Sequence, residues 1–510
     1  MDIREVAVVG LGTMGAGIAE VFARAGIGVV AIEADPQAMS QGLGHLDASL
    51  SKAVSRGKLS AKEQAEIRAR IRPAAGFSDA AAVDVAVEVV PERMEIKRQI
   101  FAELDRVTSP TAILATNTSS LSVTAIAAAT KHPGRVVGMH FFNPAPVMRL
   151  VEVVSTLLSD DGVVDTVADL ARRLGKTPVQ VGDRAGFVAN ALLLPYLNQA
   201  LELLEIGYAS REDIDMAATA GIGMPMGPLA LLDLIGLDTA LSIMKVLHAE
   251  FGFTRYTPAA LLRRLVDAGR TGRKAGRGIY DYADGGGLAE TGLTSSAPDT
   301  VTLIGSGDAI EAELATALAS AGVNVTRNAA HPTELVLIAA TAGRPVLPAA
   351  LAAGRPEQSV GLNPPNGLAD GHLVELIHTS LSSEKAMAAA AALAEKLGLT
   401  AVRAPDRPGF LVGALLYPHL ADAVRMVQDG YATATEVDTA MMLGCGYPQG
   451  PFQLLDAAGP SIVLAGLRAM QEAYGFPSLA PPVLLAEHAA AGIQWASGRS
   501  GPSSRAGGGG

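Results

Sequence analysis

Residues 183–193, DRAGFVANALL, return at 406–416 as DRPGFLVGALL, identical at seven of eleven positions, and this repeat restricts the possible folds more than any other feature. The offset is 223. Pro225-Met226-Gly227-Pro228 and Pro448-Gln449-Gly450-Pro451 keep it without a gap. Further forward, the strand, glycine pair and helix of residues 6–30 return as VTLIGSGDAIEAELATALASAGVNV at 301–325, now at an offset of 295. The second copy has therefore lost about 72 residues from its front portion, largely over 40–72 and its neighbours. Two units this long are duplicated domains, not a solenoid. At 510 residues the chain is in any case too long for one core.

The first copy opens with a βαβ pattern. Residues 4–9 read as a strand that stops at Gly10-Leu11-Gly12-Thr13-Met14-Gly15, and a helix runs from Thr13 to about Ala25 with Ile18, Val21 and Phe22 at helical spacing. GVVAIEAD forms the next strand. A Gly-x-Gly-x-x-Gly between strand and helix is the context that the dinucleotide fingerprint requires. Gly10 permits the tight turn, Gly12 lets backbone approach a pyrophosphate, and Gly15 allows close packing of helix on strand. The helix N-terminus offers N–H groups and partial positive charge to phosphates. Glu33 ends the second strand, where a carboxylate accepts from a ribose diol and repels a 2′-phosphate. No Arg or Lys follows it directly, so the expected cofactor is NAD, not NADP.

Residues 40–72 read as two charged amphipathic helices with a break near Gly57 and a cap at Ser60. Strand signals lie at 83–90, 112–117, 135–141 and 150–154, and the pattern turns helical from Gly186 to about His248. Apolar residues make up 49% of the chain, which implies densely packed globular domains. The apolar runs are short and broken by Asp or Gly, so no membrane association is expected. A net charge of −11 argues against a nucleic-acid partner. The single cysteine, Cys445, excludes an internal disulfide framework and fits a reducing cytoplasm. MDIREVAVVG lacks the basic and long apolar regions of a secretory signal.

Six segments, VEVVPERMEIK (87–97), ATNTSSLS (115–122), GMHFFNPAPVMRLVEVV (138–154), DRAGFVANALL (183–193), PMGPLALLDLIGLD (225–238) and GRKAGRGIYDY (272–282), resemble the 3-hydroxyacyl-CoA dehydrogenase family over residues 1–285 and in its order. The chemistry agrees. Oxidising a secondary alcohol needs a base for the hydroxyl proton, and His140 suits it because imidazole exchanges protons near neutrality. Glu152, on the following strand, can fix the ring's tautomer. Ser119 and Asn190 can position the substrate oxygen. The resemblance implies His140 and Glu152 as a catalytic dyad assisted by Ser119 and Asn190. It also implies NAD contacts at Glu92, Lys97, Ser119, Asn143 and Lys274. For coenzyme A it implies Ser49 and Arg56, a position more usually lysine, with Lys52 and Lys58 adding charge nearby. No metal is implied.

In the second copy, the offset of 223 puts Ala342 for Ser119, Asn363 for His140, Glu375 for Glu152 and Gly413 for Asn190. Ile310 replaces the third glycine, and Asp308 puts negative charge near the phosphate position. One active site per chain follows. The expected order is an α/β Rossmann-like NAD domain at 1–184, an all-α domain at 185–284, a linker at 285–300, a degenerate Rossmann-like domain at 301–405, a second helical domain at 406–497 and a disordered tail at 498–510. The helical units suggest an internal pseudo-dimer, or else a homo-oligomer. With no hydratase-like segment ahead of the glycine loop, the chain is similar to stand-alone family members, in particular the duplicated ones of phenylacetate catabolism that act on 3-hydroxyadipyl-CoA. 3-Hydroxybutyryl-CoA is the second candidate substrate, and a free hydroxy-acid or sugar-acid dehydrogenase on the same scaffold is the alternative activity.

Overall fold

The computed structural model describes residues 2–282, 296–305, 307, 309–327, 335–341, 343–368 and 371–495. Most of the expected linker, the whole expected tail, Asp308 and Ala342 lie outside the described residues.

The first sheet has eight strands: β1 (Glu5–Val9), β2 (Gly28–Ile32), β3 (Ile71–Ala74), β4 (Val85–Glu88), β5 (Ile113–Thr116), β6 (Val136–Phe141), β7 (Leu150–Ser155) and β8 (Thr177–Gly182), in the order 3-2-1-4-5-6-7-8. Pairing is parallel except between β6 and β7. Successive β1 residues serve opposite faces. Val6 and Val8 join one apolar cluster, Ala7 and Val9 another, as expected of a parallel strand covered on both sides. The covering helices are α1 (Thr13–Arg24), α2 (Pro36–Ser55), α3 (Ala61–Ala69), α4 (Met94–Val107), α5 (Val123–Ala127) and α6 (Asp161–Arg173). Asp35 caps α2, and Ser60 with Glu63 forms the capping box of α3. The helical reading of 40–72 holds up to Ala69. Ile71 and Arg72 instead begin β3, because Ile71 is buried and pairs with Val29. Strand β8, TPVQVG, carries little apolar signal in its sequence and owes its place to pairing with β7.

Beyond β8 come α7 (Ala189–Glu205), α8 (Arg211–Met216), α9 (Pro228–Ile235), α10 (Leu237–Phe251) and α11 (Ala260–Asp267). The copy repeats the plan with β9 (Thr300–Ile304), α12 (Ala309–Ser320), β10 (Asn324–Thr326), β11 (Val336–Ala339), α13 (Leu347–Ala352), β12 (Ser359–Asn363), β13 (Leu373–His378), α14 (Glu384–Lys396) and β14 (Thr400–Pro405). Its helices are α15 (Val412–Gln428), α16 (Ala434–Cys445), α17 (Pro451–Ala458), α18 (Pro460–Tyr474) and α19 (Val483–Ala491). The second sheet runs 10-9-11-12-13-14, again with a single antiparallel pairing, β12 with β13. Strand β11 stands at the repeat position of β5 and pairs directly with β9. The short stretch from Thr326 to Val336 leaves no room for counterparts of α2, α3, β3, β4 and α4. The missing 72 residues thus include β4 and α4 as well as the charged helix pair.

Much of what the repeat keeps is scaffold. Asp183 accepts from Ser122 Oγ and the N–H groups of Val123 and Thr124 at the start of α5. Asp406 does the same for Val346 and Leu347 at α13. The Gly-Phe pairs turn the chain with positive φ at both residues, 72° and 49° at Gly186-Phe187, 85° and 48° at Gly409-Phe410. A non-glycine residue there is strained.

Two compact units result, and they do not follow chain order. The first consists of Met1–Ala191 together with Thr435–Gly446, the second of Leu192–Ala434 and the residues from Tyr447 onward. No helix among the described residues is long and apolar enough to cross a membrane.

Candidate active site

The glycine loop has the geometry its spacing predicts. Gly10 has φ +93° and its N–H donates to Ile32 O at 2.9 Å. A Cβ on Gly15 would sit 1.9 Å from Gly10 O, whereas a Cβ on Gly12 would meet nothing within 4 Å. Gly15 is therefore required by packing, while Gly12 keeps an open approach beside the first turn of α1. Leu11 is buried, and its N–H donates to Glu33 Oε2 at 3.2 Å, so the acid ending β2 reaches the loop. Thr13 and Met14 form the first turn of α1, whose N–H groups have no partners within the helix. An open glycine, a helix N-terminus and a carboxylate one strand away fit the pyrophosphate and ribose of NAD.

His140 and Glu152 are cross-strand partners in the β6–β7 register. Antiparallel pairing, the exception in this sheet, is what sets them opposite one another. His140 Nδ1 lies 2.7 Å from Glu152 Oε2, and His140 Nε2 lies 3.1 Å from Ser119 Oγ. A carboxylate only accepts, so Nδ1–H donates to Glu152 and Nε2 presents its lone pair toward Ser119. The other oxygen of Glu152 accepts from the N–H groups of Val188 and Ala189 at 3.0 and 3.1 Å. One buried glutamate thus orients the base and holds the start of α7. Phe142 and Phe187 flank the imidazole, with ring centroids 4.6 and 5.5 Å away. Asn190 follows Ala189 on α7, half-buried.

Glu92 accepts from Thr118 Oγ1 at 2.5 Å and from the N–H groups of Ser119 and Ser120, so it ties the Ser119 loop down. Its side chain remains 38% exposed. Burial alone would raise its proton affinity, but the Lys97 charge and these donors outweigh burial and hold the carboxyl below its usual range. Lys97 is 1% exposed and donates to Glu88 Oε1 at 2.8 Å and to Val90 O, with Glu92 at 3.4 Å. Its ammonium faces carboxylates, not solvent. Asn143 is exposed beside Phe142. Lys274 belongs to the second unit and pairs with Asp238 at 2.7 Å. Ser49 and Lys52 lie about one turn apart on α2, and Arg56 caps its C-terminus one turn further on. The serine is half-buried, both cations are exposed, and neither they nor Lys58 meet a carboxylate among the described residues.

Four contributors escaped the sequence reading. Glu88, 0% exposed, accepts from Lys97, Thr116 Oγ1 and Val90 N–H, and an acid inside the apolar run VDVAVEVV was the available signal. Asn117 Oδ1 accepts from Phe141 N–H, steadying the residue after His140. Thr118 anchors Glu92. Gly42 lets α2 approach Leu11, whose O would lie 2.1 Å from a Cβ there.

The copy reproduces this frame without the base. Asn363 Nδ2 donates to Glu375 Oε2 at 2.5 Å, and Glu375 Oε1 accepts from Leu411 and Val412 N–H at 2.8 Å each. Gly413 replaces Asn190, and the Tyr417 ring packs where a Cβ would go, 2.7 Å away.

Comparison with known proteins identifies a family for the whole chain. The family model for the 3-hydroxyacyl-CoA dehydrogenase NAD-binding domain matches residues 5–184, and that for its C-terminal domain matches twice, at 186–282 and 409–501. The chain is 35% identical over 492 residues to the 3-hydroxyadipyl-CoA dehydrogenase of Escherichia coli K12, covering 96% of this chain and 98% of that one. A crystal structure described as 3-hydroxybutyryl-CoA dehydrogenase from E. coli K12 matches with TM-score 0.82 at 33% identity, over 96% and 99% of the two chains. A probable 3-hydroxybutyryl-CoA dehydrogenase of Bacillus subtilis is 45% identical over 284 residues, 99% of its length but 56% of this chain.

Proposed function

The chain belongs to the 3-hydroxyacyl-CoA dehydrogenase family, whose members are NAD-dependent oxidoreductases, and we propose that it oxidises an L-3-hydroxyacyl-CoA to the 3-oxoacyl-CoA, reversibly, at one site per chain. The Ser119–His140–Glu152 array carries this reading. A substrate hydroxyl seated beside Ser119 Oγ gives its proton to His140 Nε2, and Glu152 steadies the cation that forms. Bound NAD accepts the hydride released from the same carbon. The residues proposed to hold it are Gly10, Leu11, Gly12, Thr13, Met14, Gly15 and Glu33, with Glu92, Lys97, Ser119 and Asn143 toward the nicotinamide. Asn190 assists the hydroxyl. Ser49, Lys52 and Arg56 are proposed to grip coenzyme A, because unpaired cations on one face suit its phosphates.

For the acyl chain we propose 3-hydroxyadipyl-CoA first and 3-hydroxybutyryl-CoA second. The relative bearing the first name matches across both halves of this chain, over 96% of its length. The reaction belongs in the cytoplasm, on a chain that does a dimer's work alone. Initial rates with a panel of 3-hydroxyacyl-CoAs, one of them dicarboxylic, rank the substrates. His140→Gln should abolish turnover while NAD affinity, measured by titration, stays within about twofold. Persistent turnover in that variant refutes the dyad, and equal rates on a substrate without coenzyme A favour the free-acid alternative.

A further inference from the structure

The second half has lost three of the four catalytic groups, yet it is not a bystander. The first unit contains Thr435–Gly446, nearly all of α16, and so a helix encoded in the second half folds into the body that carries His140. At Gly444 the helix comes against residues that neighbour the dyad. A Cβ there would lie 2.6 Å from Leu150 Cδ2 and 3.1 Å from the Phe142 ring. Leu150 precedes Glu152 by two on β7, so both project from one sheet face. Phe142 likewise follows His140 by two and packs against its ring. Next to Gly444, Cys445 is close enough to Glu152 for the carboxylate to reinforce burial in pushing the thiol up.

The exchange is reciprocal, which argues against an accident of packing. Gly221 stands at the repeat position of Gly444 and belongs to the second unit, where a Cβ would lie 2.8 Å from Val412 and 3.4 Å from Leu373. Leu373 is the repeat counterpart of Leu150, and Asn366 Nδ2 donates to Gly221 O at 2.7 Å. Each half therefore lends the same helix to the other half's sheet.

We infer that α16 is a working part of the single active site: its Gly444–Cys445 end backs Phe142 and Glu152, sets the orientation of His140, and makes the catalytically empty half indispensable to the reaction. This rests on the dehydrogenase reading for its kinetic arm, but not for its spectroscopic one. Gly444 is a positioning residue, acting through Phe142.

Gly444→Ala and Gly221→Ala in the full chain make equivalent intrusions in the two units. With 3-hydroxyacyl-CoA substrate, Gly444→Ala should lower kcat by about ten- to a hundredfold while leaving the NAD dissociation constant within about twofold. Gly221→Ala should keep kcat within about twofold even where it lowers Tm equally. Cys445 keeps partial exposure, and Cys445→Asp leaves the Gly444 contacts with Leu150 and Phe142 as they are. It should move the acid limb of the pH–rate profile to higher pH by about half a unit or more, because added negative charge favours the protonated base. Histidine-labelled NMR, with the His140 signal assigned by its loss in His140→Gln, reads the same titration without turnover. A His140 signal moved by Gly444→Ala and Cys445→Asp but not by Gly221→Ala supports the inference. Equal kcat losses in the two glycine variants, or an unmoved His140 titration in Cys445→Asp, overturn it. Should Gly444→Ala fail to fold, Cys445→Asp decides alone. Absence of wild-type turnover would count against the dehydrogenase reading and leave the NMR test standing.

Discussion

Glu152 performs two separable tasks, and two substitutions tell them apart. In Glu152→Gln the amide oxygen can still accept from Val188 and Ala189 N–H, now 3.0 and 3.1 Å from the carboxylate. The amide nitrogen, however, replaces the acceptor that lies 2.7 Å from His140 Nδ1. Nδ1 must then accept, the ring proton moves to Nε2, and the base has no lone pair for the substrate hydroxyl. A triad carboxylate replaced by its amide loses about 10⁴ in kcat, so a fall of about 10²–10⁴ is expected here. Stability should stay within about 1 kcal/mol, since glutamine keeps an acceptor for both N–H groups and its amide nitrogen can donate to Nδ1. Glu152→Ala instead orphans two buried N–H groups. At about 1–3 kcal/mol for each unsatisfied donor, it should be about 2–6 kcal/mol less stable. Steady-state formation of NADH, followed at its absorbance band, gives kcat, and thermal or urea unfolding by circular dichroism gives stability. If Glu152→Gln kept kcat within tenfold, the tautomer argument would be wrong. If Glu152→Ala unfolded no more easily than Glu152→Gln, so would the helix-start argument.

Lys97→Met leaves Glu88 buried without its cation, and unfolding should show about 3–5 kcal/mol of destabilisation, with a raised KM for NAD. Gly12→Ala has space for its methyl and should fold with unchanged Tm yet bind NAD at least about tenfold more weakly by titration, whereas Gly15→Ala, aimed at Gly10 O, should lose fold stability as well. Burial pushes Glu375 up to about 7. A carboxyl whose folded pKa is raised contributes stability fully present below its ordinary value and lost as pH rises through about 7. Wild type should therefore lose Tm between about pH 4.5 and pH 8 relative to Glu375→Gln, and parallel Tm curves would refute that assignment.

The first sheet, the glycine loop and the dyad were legible because local signals and tertiary demands coincide there. Strand periodicity, a turn only glycine can make, and a histidine and a glutamate on successive strands all point the same way. What stayed hidden depends on partners remote in the chain. Glu88 looked like one acid in an apolar strand until Lys97 and Thr116 met it. Lys97 carries no sequence signal of its partners, and only three dimensions place its ammonium 2.8 Å from Glu88 and 3.4 Å from Glu92. The GRKAGRGIYDY segment signalled function, yet Asp233 accepts from Ile279 and Tyr280 N–H and Tyr282 Oη, so much of that motif is a clasp. No periodicity could announce that α16 joins the first unit, because exchanged and unexchanged helices have the same sequence pattern.

Exchange of α16 also has a consequence for synthesis. The first sheet can form once its eight strands have left the ribosome, and NAD can find its glycine loop at that stage. The wall behind Phe142 and Leu150 arrives only when Gly444 emerges, after all of the second sheet has been made. Contacts so distant in sequence close late. The nascent chain can therefore hold cofactor long before it can turn over substrate, and a ribosome stalled in the catalytically empty half leaves behind a product that binds without reacting.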